Sequence, residues 1–197
     1  MTEDQAPPRR LPRAQRRDQI LAAATSAFAR TGFADTSLDD VSAAAGVSKA
    51  ILYRHFESKT ELYRAVLDRI CAKLDATVGT DDHDDESIPT LMRAAATDPD
   101  GFRLLFRYAA REPEFRSFVD TMSGESTRIA LRQLTADIPD PRWAGWAAQL
   151  APVITIEATL AWLDAGQPDP ELAAERVKDL IAALITTAAA SGENPPA

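Results

Sequence analysis

The sequence has few of the residues from which enzyme and metal sites are usually built. One cysteine among 197 residues rules out an intramolecular disulfide and is typical of a protein in a reducing compartment. Only two histidines are present, and neither has the spacing to other ligands that a metal site requires. We find no glycine-rich phosphate loop and no paired nucleophile and base. We therefore predict a protein that is not an enzyme, with no catalytic residue, cofactor or metal.

Strand patterns and membrane signals are also lacking. No alternation of apolar and polar residues occurs between residues 88 and 190, so we expect helices there. No signal peptide opens the chain, which favours a cytoplasmic protein. The longest apolar stretch, residues 143–163, contains Gln149, Pro152 and Glu157, which argue against a membrane span. For Glu157 three locations remain open: the surface, an arginine partner, or a ligand.

Charge is unevenly distributed along the chain. The net charge of −8 by itself argues against a nucleic-acid partner. Residues 1–73, however, hold 12 Lys and Arg against 9 Asp and Glu, whereas residues 74–197 hold 10 against 21. A basic head on an acidic body is typical of a DNA-binding module joined to a domain with a second function.

The N-terminal residues continue this basic character. Residues 1–12 contain three prolines without apolar periodicity, so we predict a disordered basic tail. Its Arg9 and Arg10, together with Arg13, Arg16 and Arg17, form an arm suited to phosphates or to a minor groove. For Arg9 and Arg10, a tail that merely aids solubility is the alternative.

A helix-turn-helix pattern follows, and we assign it to residues 13–57. The first helix is predicted to run from Arg13 to Thr31, with Gly32 ending it. The second begins after Thr36 or Ser37, whose hydroxyl can cap it, and ends at Gly46, a residue that adopts the left-handed conformation readily. The third is predicted over residues 49–56, with Ser48 as its cap. Such a third helix is the one that enters the DNA major groove.

The faces of this third helix differ in chemistry. Leu52 and Phe56 are four residues apart and are predicted to point inward. Lys49, Tyr53 and Arg54, with the small Ala50, fall on the opposite side and suit phosphates and base edges. For any one of these residues, an ordinary solvated surface is the alternative.

The run AGVSKAILYRHFESK at residues 45–59, with Leu62 after it, closely resembles the DNA-binding domain of TetR-family transcriptional regulators. One departure is Ala50, where the family often has Gly. The resemblance implies an all-helical homodimer, usually a repressor, that releases DNA when it binds a small molecule. A two-fold dimer in turn implies a palindromic operator in double-stranded DNA. The residues predicted at the DNA are Thr36, Ser37, Ser48, Lys49, Ala50, Ile51, Tyr53, Arg54, His55 and Lys59.

The remaining chain is predicted to be entirely helical. Ser58 and Glu61 form a capping box at the start of a connecting helix over residues 58–76. Proline and glycine signals divide the body, residues 77–190, into helices at 88–97, 100–111, 113–137, 141–165 and 170–190. Residues 191–197 are predicted to be a disordered tail. The predicted fold class is therefore all-α, with an N-terminal three-helix DNA-binding domain and a C-terminal helical ligand-binding and dimerisation domain.

Two apolar helices and a cluster of aromatic residues suggest roles for the body. The helices over 141–165 and 170–190 have broad apolar faces, which a second copy can cover in a four-helix bundle. A mainly apolar small-molecule effector is predicted to bind among Phe102, Phe106, Phe118, Met122, Trp146 and Trp162, although aromatic clusters also form plain cores. A ligand-independent regulator, an activator and a helical enzyme remain as alternative functions.

Three further features of the body leave alternatives open. Arg103, Arg107 and Arg111 recur every four residues, as on an exposed helix face or at an anionic ligand. Cys71 is expected to be a buried, inert thiol, with a redox sensor as the alternative. The acidic run at residues 81–86 is expected to be a solvated loop, with a metal site as the alternative.

Overall fold

The structure is a computed structural model that describes residues 11–79 and 86–190. Its α-helices are α1 (Arg13–Asp35), α2 (Leu38–Ala44), α3 (Lys49–Tyr53), α4 (Lys59–Val78), α5 (Ser87–Thr97), α6 (Pro99–Arg103), α7 (Arg116–Leu134), α8 (Pro141–Asp164) and α9 (Pro170–Ala189). No strand occurs in these two ranges. The prediction of an all-α fold is therefore confirmed. The terminal tails and most of the acidic run at 81–86 lie outside the described residues.

The chain divides into two compact units, and the boundary between Val66 and Leu67 falls inside α4. The N-terminal unit thus holds α1 to α3 and the first two turns of α4. Its core consists of Ile20, Leu21, Ala24, Phe28, Val41, Leu52, Phe56, Leu62, Tyr63 and Val66, all at most 1% exposed. The Tyr63 ring meets the rings of Phe28 and Phe33 edge-on, with centroids 4.8 and 4.9 Å apart.

The helix ends in this unit follow from their local chemistry. Gly32, at φ 79°, breaks the helical path of α1 where the sequence predicts its end. Ser37 and Asp40 form a full capping box at the start of α2. Gly46, at φ 61°, turns the chain after α2. The Ser48 hydroxyl then accepts a bond from the Ile51 N–H and begins α3.

Two details predicted for the N-terminal unit are wrong. Helix α3 ends at Tyr53 rather than at residue 56, so Arg54 and His55 lie in the turn that follows. The capping box at α4 is also incomplete. Ser58 accepts the Glu61 N–H, but the Glu61 carboxylate accepts the N–H of Glu57 instead of that of Ser58.

The C-terminal unit contains two apolar clusters that share α8. One joins α7, α8 and α9 through residues such as Leu134, Ala148 and Leu184. The other joins α5, α6, α8 and α9 around Phe102 and Trp162. Because both clusters use α8, this helix is the central element of the unit.

The predicted helices at 100–111 and 113–137 are not single α-helices. After α6, residues Leu104–Tyr108 form a π-helical turn and Ala109–Arg111 a 3-10 turn. Pro113–Phe115 form a second 3-10 turn, and α7 ends at Leu134. The π-helical turn rotates the residues after it away from a simple four-residue repeat.

Helix α8 is the one described helix that is long and apolar enough, by length and composition, to cross a membrane. In its most apolar window, 33% of the residues are buried within the protein. A core helix of a soluble protein has the same length and composition, and the absence of membrane contact stays a prediction.

Candidate nucleic-acid interface and cavity

Helix α3 has one buried and one exposed side. Leu52 is fully buried, whereas Lys49, Ala50 and Tyr53 are exposed, and Arg54 is exposed in the turn after the helix. Ile51 is partly buried. The exposed side therefore presents two cations, a phenol and a methyl group, which together can approach phosphates and base edges.

Lys49 is paired with an acidic residue of the preceding helix. Its ammonium lies 2.7 Å from a carboxylate oxygen of Asp39, and both side chains are more than half exposed. The hydrogen bond and the charge of Asp39 raise the pKa of Lys49. An exposed pair of this kind is weak, so a phosphate or base edge can replace Asp39 as the partner.

A basic edge from α1 lies beside the end of α3. Burial, followed by the charges of Arg13, Arg17 and Arg16, lowers the pKa of His55. The Arg17 guanidinium also lies 5.0 Å from the centroid of the Phe56 ring. The Gln19 amide of α1 donates to the Ala45 carbonyl at the end of α2, at 2.7 Å. Three arginines, a histidine, Lys49 of α3 and Arg54 in the turn after it thus lie in one unit. Arg9 and Arg10 lie outside the described residues.

Three predicted DNA residues are occupied by local hydrogen bonds. Ser37 and Ser48 are exposed helix caps whose hydroxyls accept backbone N–H groups. Thr36 is only 2% exposed, and its hydroxyl donates to the Gly32 carbonyl at 2.6 Å. The prediction that the Thr36 side chain contacts DNA is therefore wrong, because burial and this hydrogen bond make it part of the turn after α1.

Lys59 also has an internal role that the sequence does not reveal. Its ammonium donates to the carbonyls of Phe33 and Ala34 at 2.8 and 3.0 Å, and lies 4.6 Å from the centroid of the Phe33 ring. The first turn of α4 is thereby tied to the end of α1. A phosphate contact by Lys59 stays a prediction, and in the structure the charge is already partnered.

The C-terminal unit contains a cavity of about 700 Å³, which is within the range of drug-sized ligand sites. Its walls come from α4, α5, α7, α8, α9 and the π-helical turn. Of the residues predicted to bind a ligand, Phe106 and Met122 line this cavity, and a ligand contact by them stays a prediction. Leu74, Leu91, Leu134, Ile156, Ile181 and Ile185 also line it, and no distinctive motif marks these residues in the sequence.

The other predicted ligand residues lie elsewhere. Phe102 contacts Phe106 at 4.6 Å between ring centroids but lines a separate cavity of about 530 Å³. Phe118 lines neither cavity. Trp162 is buried, and its indole N–H donates to the Pro168 carbonyl at 2.8 Å in the turn before α9.

Trp146 contradicts the prediction most clearly. It is 41% exposed on α8 and meets Trp143 edge-on, with ring centroids 5.6 Å apart. Helix α8 is apolar on every side, so its sequence alone does not determine which side faces a cavity. The prediction of Trp146 as a pocket residue is wrong because the helix turns it outward.

The structure also locates the arginine repeat, Cys71 and Glu157, for which the sequence leaves alternatives open. Arg103 and Arg107 are not a free basic face, since both bind the Asp164 carboxylate, at 3.1 and 2.8 Å. Cys71 is half-buried, and burial raises the pKa of its thiol to about 11, which disfavours a reactive thiolate. Glu157 is exposed and does not line the cavity. Among the described residues, no group of three or more His, Cys, Asp or Glu side chains is arranged to hold a metal.

Comparison with known proteins identifies the N-terminal unit. The model of the family described as bacterial regulatory proteins, tetR family, matches residues 20–66. Over these residues the chain matches the TetR family. The transcriptional activator FasR of Mycolicibacterium smegmatis is 52% identical over 60 residues, which are 30% of this chain and 27% of FasR. The regulator TtgR of Pseudomonas putida is 38% identical over 73 residues, 37% of this chain and 35% of TtgR. These alignments thus span about a third of each relative.

Solved structures extend the similarity of fold to more than nine tenths of the chain. A TetR-like regulator from Rhodococcus has a TM-score of 0.77 at 22% identity, covering 93% of this chain and 100% of that one. A TetR-family regulator from Streptomyces coelicolor has a TM-score of 0.67 at 25% identity, covering 92% and 85%. The TetR relatives are named as transcriptional regulators and not as enzymes, which agrees with the prediction that this chain is not an enzyme.

Proposed function

We propose that this TetR-family protein is a cytoplasmic repressor that binds a palindromic DNA operator as a homodimer and leaves it when a small molecule enters the cavity. The observation that carries the proposal is the exposed cationic side of α3, flanked by the basic edge of α1, in a domain that matches the TetR family. In this proposal α3 is the recognition helix, and Lys49 and Arg54 contact base edges. Tyr53 and the α1 arginines contact phosphates.

The apolar surface of α8 and α9 supports a dimer. Trp146, Val153 and Leu180 are 41%, 54% and 52% exposed. Trp146 and Val153 are seven residues apart and so share one face of α8. Covering such side chains with a second copy removes apolar area from water, which favours association. A single recognition helix makes a small contact, so two of them across a two-fold axis provide the specificity of a palindromic site.

The position of α4 supports coupling between ligand and DNA. Its first turns belong to the DNA-binding unit, and its last turns contribute Leu74, Asp75 and Val78 to the cavity wall. A ligand that fits better when this wall has moved favours the conformation with weaker DNA binding. Coupling of about 1–3 kcal/mol is typical of such linkage.

The DNA-binding part is tested by selecting duplexes from a random pool with purified protein and measuring the affinity of variants. Arg54→Ala and Lys49→Ala should each cost on the order of 1–3 kcal/mol at one base pair of the selected site if the contact is bidentate. The control is Arg30→Ala, an exposed change near the other end of α1. If Arg54→Ala, Lys49→Ala and Arg30→Ala lower the affinity equally for every duplex, residues other than Lys49 and Arg54 read the DNA sequence.

The sign of regulation needs its own test, because the matched relatives include a protein named as an activator. Transcription in vitro from a promoter carrying the selected site should fall when the protein is added. A rise in transcript would show that the protein is an activator.

A further inference from the structure

The borders of the 700 Å³ cavity carry an excess of negative charge. Asp75 from α4, Asp137 after α7, and Glu175 and Asp179 from α9 line it, against a single cation, Lys178. The Lys178 ammonium is already 3.6 Å from the Glu175 carboxylate. Among the described residues, Asp75, Asp137 and Asp179 form no ion pair.

The hydroxyl groups inside the cavity add acceptors. The Ser126 hydroxyl donates to the Met122 carbonyl at 3.3 Å, and the Thr155 hydroxyl donates to the Ala151 carbonyl at 2.9 Å. Each hydroxyl hydrogen is therefore used within its own helix. What remains for a ligand is an oxygen lone pair, which accepts hydrogen bonds.

The apolar part of the wall is compatible with a positive charge. The face of an aromatic ring such as that of Phe106 attracts cations, and the Met122 thioether is polarizable. The carboxylates are exposed and are not grouped to hold a metal ion, so a diffuse organic charge suits them better than a bare cation. An anionic amphiphile, by contrast, would face four carboxylates against the single ammonium of Lys178, which already lies 3.6 Å from the Glu175 carboxylate.

We propose that the effector of this cavity is an amphipathic organic cation, whose apolar body lies against Phe106 and Met122 and whose charge lies toward Asp75, Asp137 and Asp179. This inference rests on the proposed function for the idea that the cavity holds an effector, and it adds the charge of that effector.

The test uses two probes of nearly equal size and opposite charge, tetraphenylphosphonium and tetraphenylborate. Binding of each to the full-length protein is measured by equilibrium dialysis at low and high salt. The phosphonium should bind more tightly than the borate, and its affinity should fall as salt screens the carboxylates. Tighter or equal binding of the borate, or no binding of either probe, would overturn the proposal.

Variants of the three aspartates then test whether the charge of the phosphonium lies beside them. Asp75→Asn, Asp137→Asn and Asp179→Asn should each weaken phosphonium binding about two- to fivefold, and the triple variant about tenfold or more. Asp120→Asn removes one exposed carboxylate of α7 outside the cavity lining and should have no effect. A triple variant that melts like the wild type and binds the phosphonium equally well would also contradict the proposal.

A failure of the proposed function can be distinguished from a failure of this inference about the effector. If the protein shows no salt-sensitive binding to duplex DNA, the regulator proposal is wrong, whatever the dialysis result. If it binds DNA but prefers the borate, the charge of the effector alone is wrong.

Discussion

Lys59 shows how one charged residue can stabilise the N-terminal unit from within. Lys59→Ala removes two hydrogen bonds from a charged donor to backbone carbonyls, and we expect the free energy of unfolding to fall by about 1–3 kcal/mol. Urea unfolding followed by circular dichroism measures this loss. Arg64→Ala, an exposed change on the same helix, is the control and should have little effect. Unchanged stability of Lys59→Ala would mean that the ammonium is free for phosphate.

Asp39 lies beside the proposed recognition surface and carries the wrong charge for DNA. Asp39→Asn removes the partner of Lys49 and one repulsive charge, so affinity for all duplexes should rise about two- to fivefold. Fluorescence anisotropy with labelled duplexes measures the change, and Asp35→Asn at the end of α1 is the exposed control. A lower affinity for Asp39→Asn would indicate instead that Asp39 holds Lys49 in its DNA-binding position.

At the scale of helices and turns, two glycines should respond oppositely to the same substitution. Gly46 has φ 61°, so Gly46→Ala strains the turn before α3 and should cost about 1–2 kcal/mol. Gly124 lies within α7 with open space around it, so Gly124→Ala should stabilise the protein by about 0.5–1 kcal/mol. Thermal unfolding of both variants checks the signs. Two changes in the same direction would disagree with the backbone conformations described.

Asp164 ties the end of α8 to α6 and the π-helical turn. Hydrogen bonds from Arg107 and then Arg103 lower the pKa of Asp164 below its usual 3.8. A lowered pKa in the folded protein means that the stabilisation is fully present above pH 3.8 and is lost as the pH falls through the lower folded pKa. Asp164→Asn should therefore reduce the melting temperature at pH 6, and the difference from the wild type should shrink below pH 4.

The control for this experiment is Asp120→Asn, which should leave the melting temperature unchanged at both pH values. A difference between wild type and Asp164→Asn that grows in acid would contradict the assigned ion pair.

The sequence predicts the helix-turn-helix better than the body for a physical reason. Caps, the glycine turn and the spacing of Leu52 are local signals, and they determine which side of α3 is exposed. The end of α3 carries no glycine or proline, so its short length could not be predicted. Arg103 and Asp164 are 61 residues apart, and only the tertiary fold brings them together. The side of α8 that faces the cavity could not be predicted either, because this helix carries apolar residues on every side.

At the scale of the whole molecule, the proposed dimer makes a sharp prediction about two exposed residues. Val153→Asp on α8 and Leu180→Asp on α9 should weaken self-association and DNA binding together, because each places a charge in the proposed interface. Analytical ultracentrifugation and anisotropy measure the two effects. Leu184 is unsuitable for this purpose, since it is 8% exposed within the core and its substitution would disturb folding.

The matched control is Leu131→Asp, an exposed apolar residue on α7. It should leave both the association and the DNA affinity unchanged. A wild-type protein that is monomeric at micromolar concentration would contradict the dimer.

The outward position of Trp143 and Trp146 has a consequence for the light that the protein emits. Two of its three indoles are partly exposed, at 36% and 41%, so the emission of the monomer should be red-shifted and open to quenching by iodide. Trp162 should contribute a smaller, blue-shifted component that iodide does not reach, since it is buried. Because no indole lines the larger cavity, effector binding should alter the spectrum little. Covering of α8 by a second copy should instead protect the two outer indoles, so that iodide quenching decreases as the protein concentration rises.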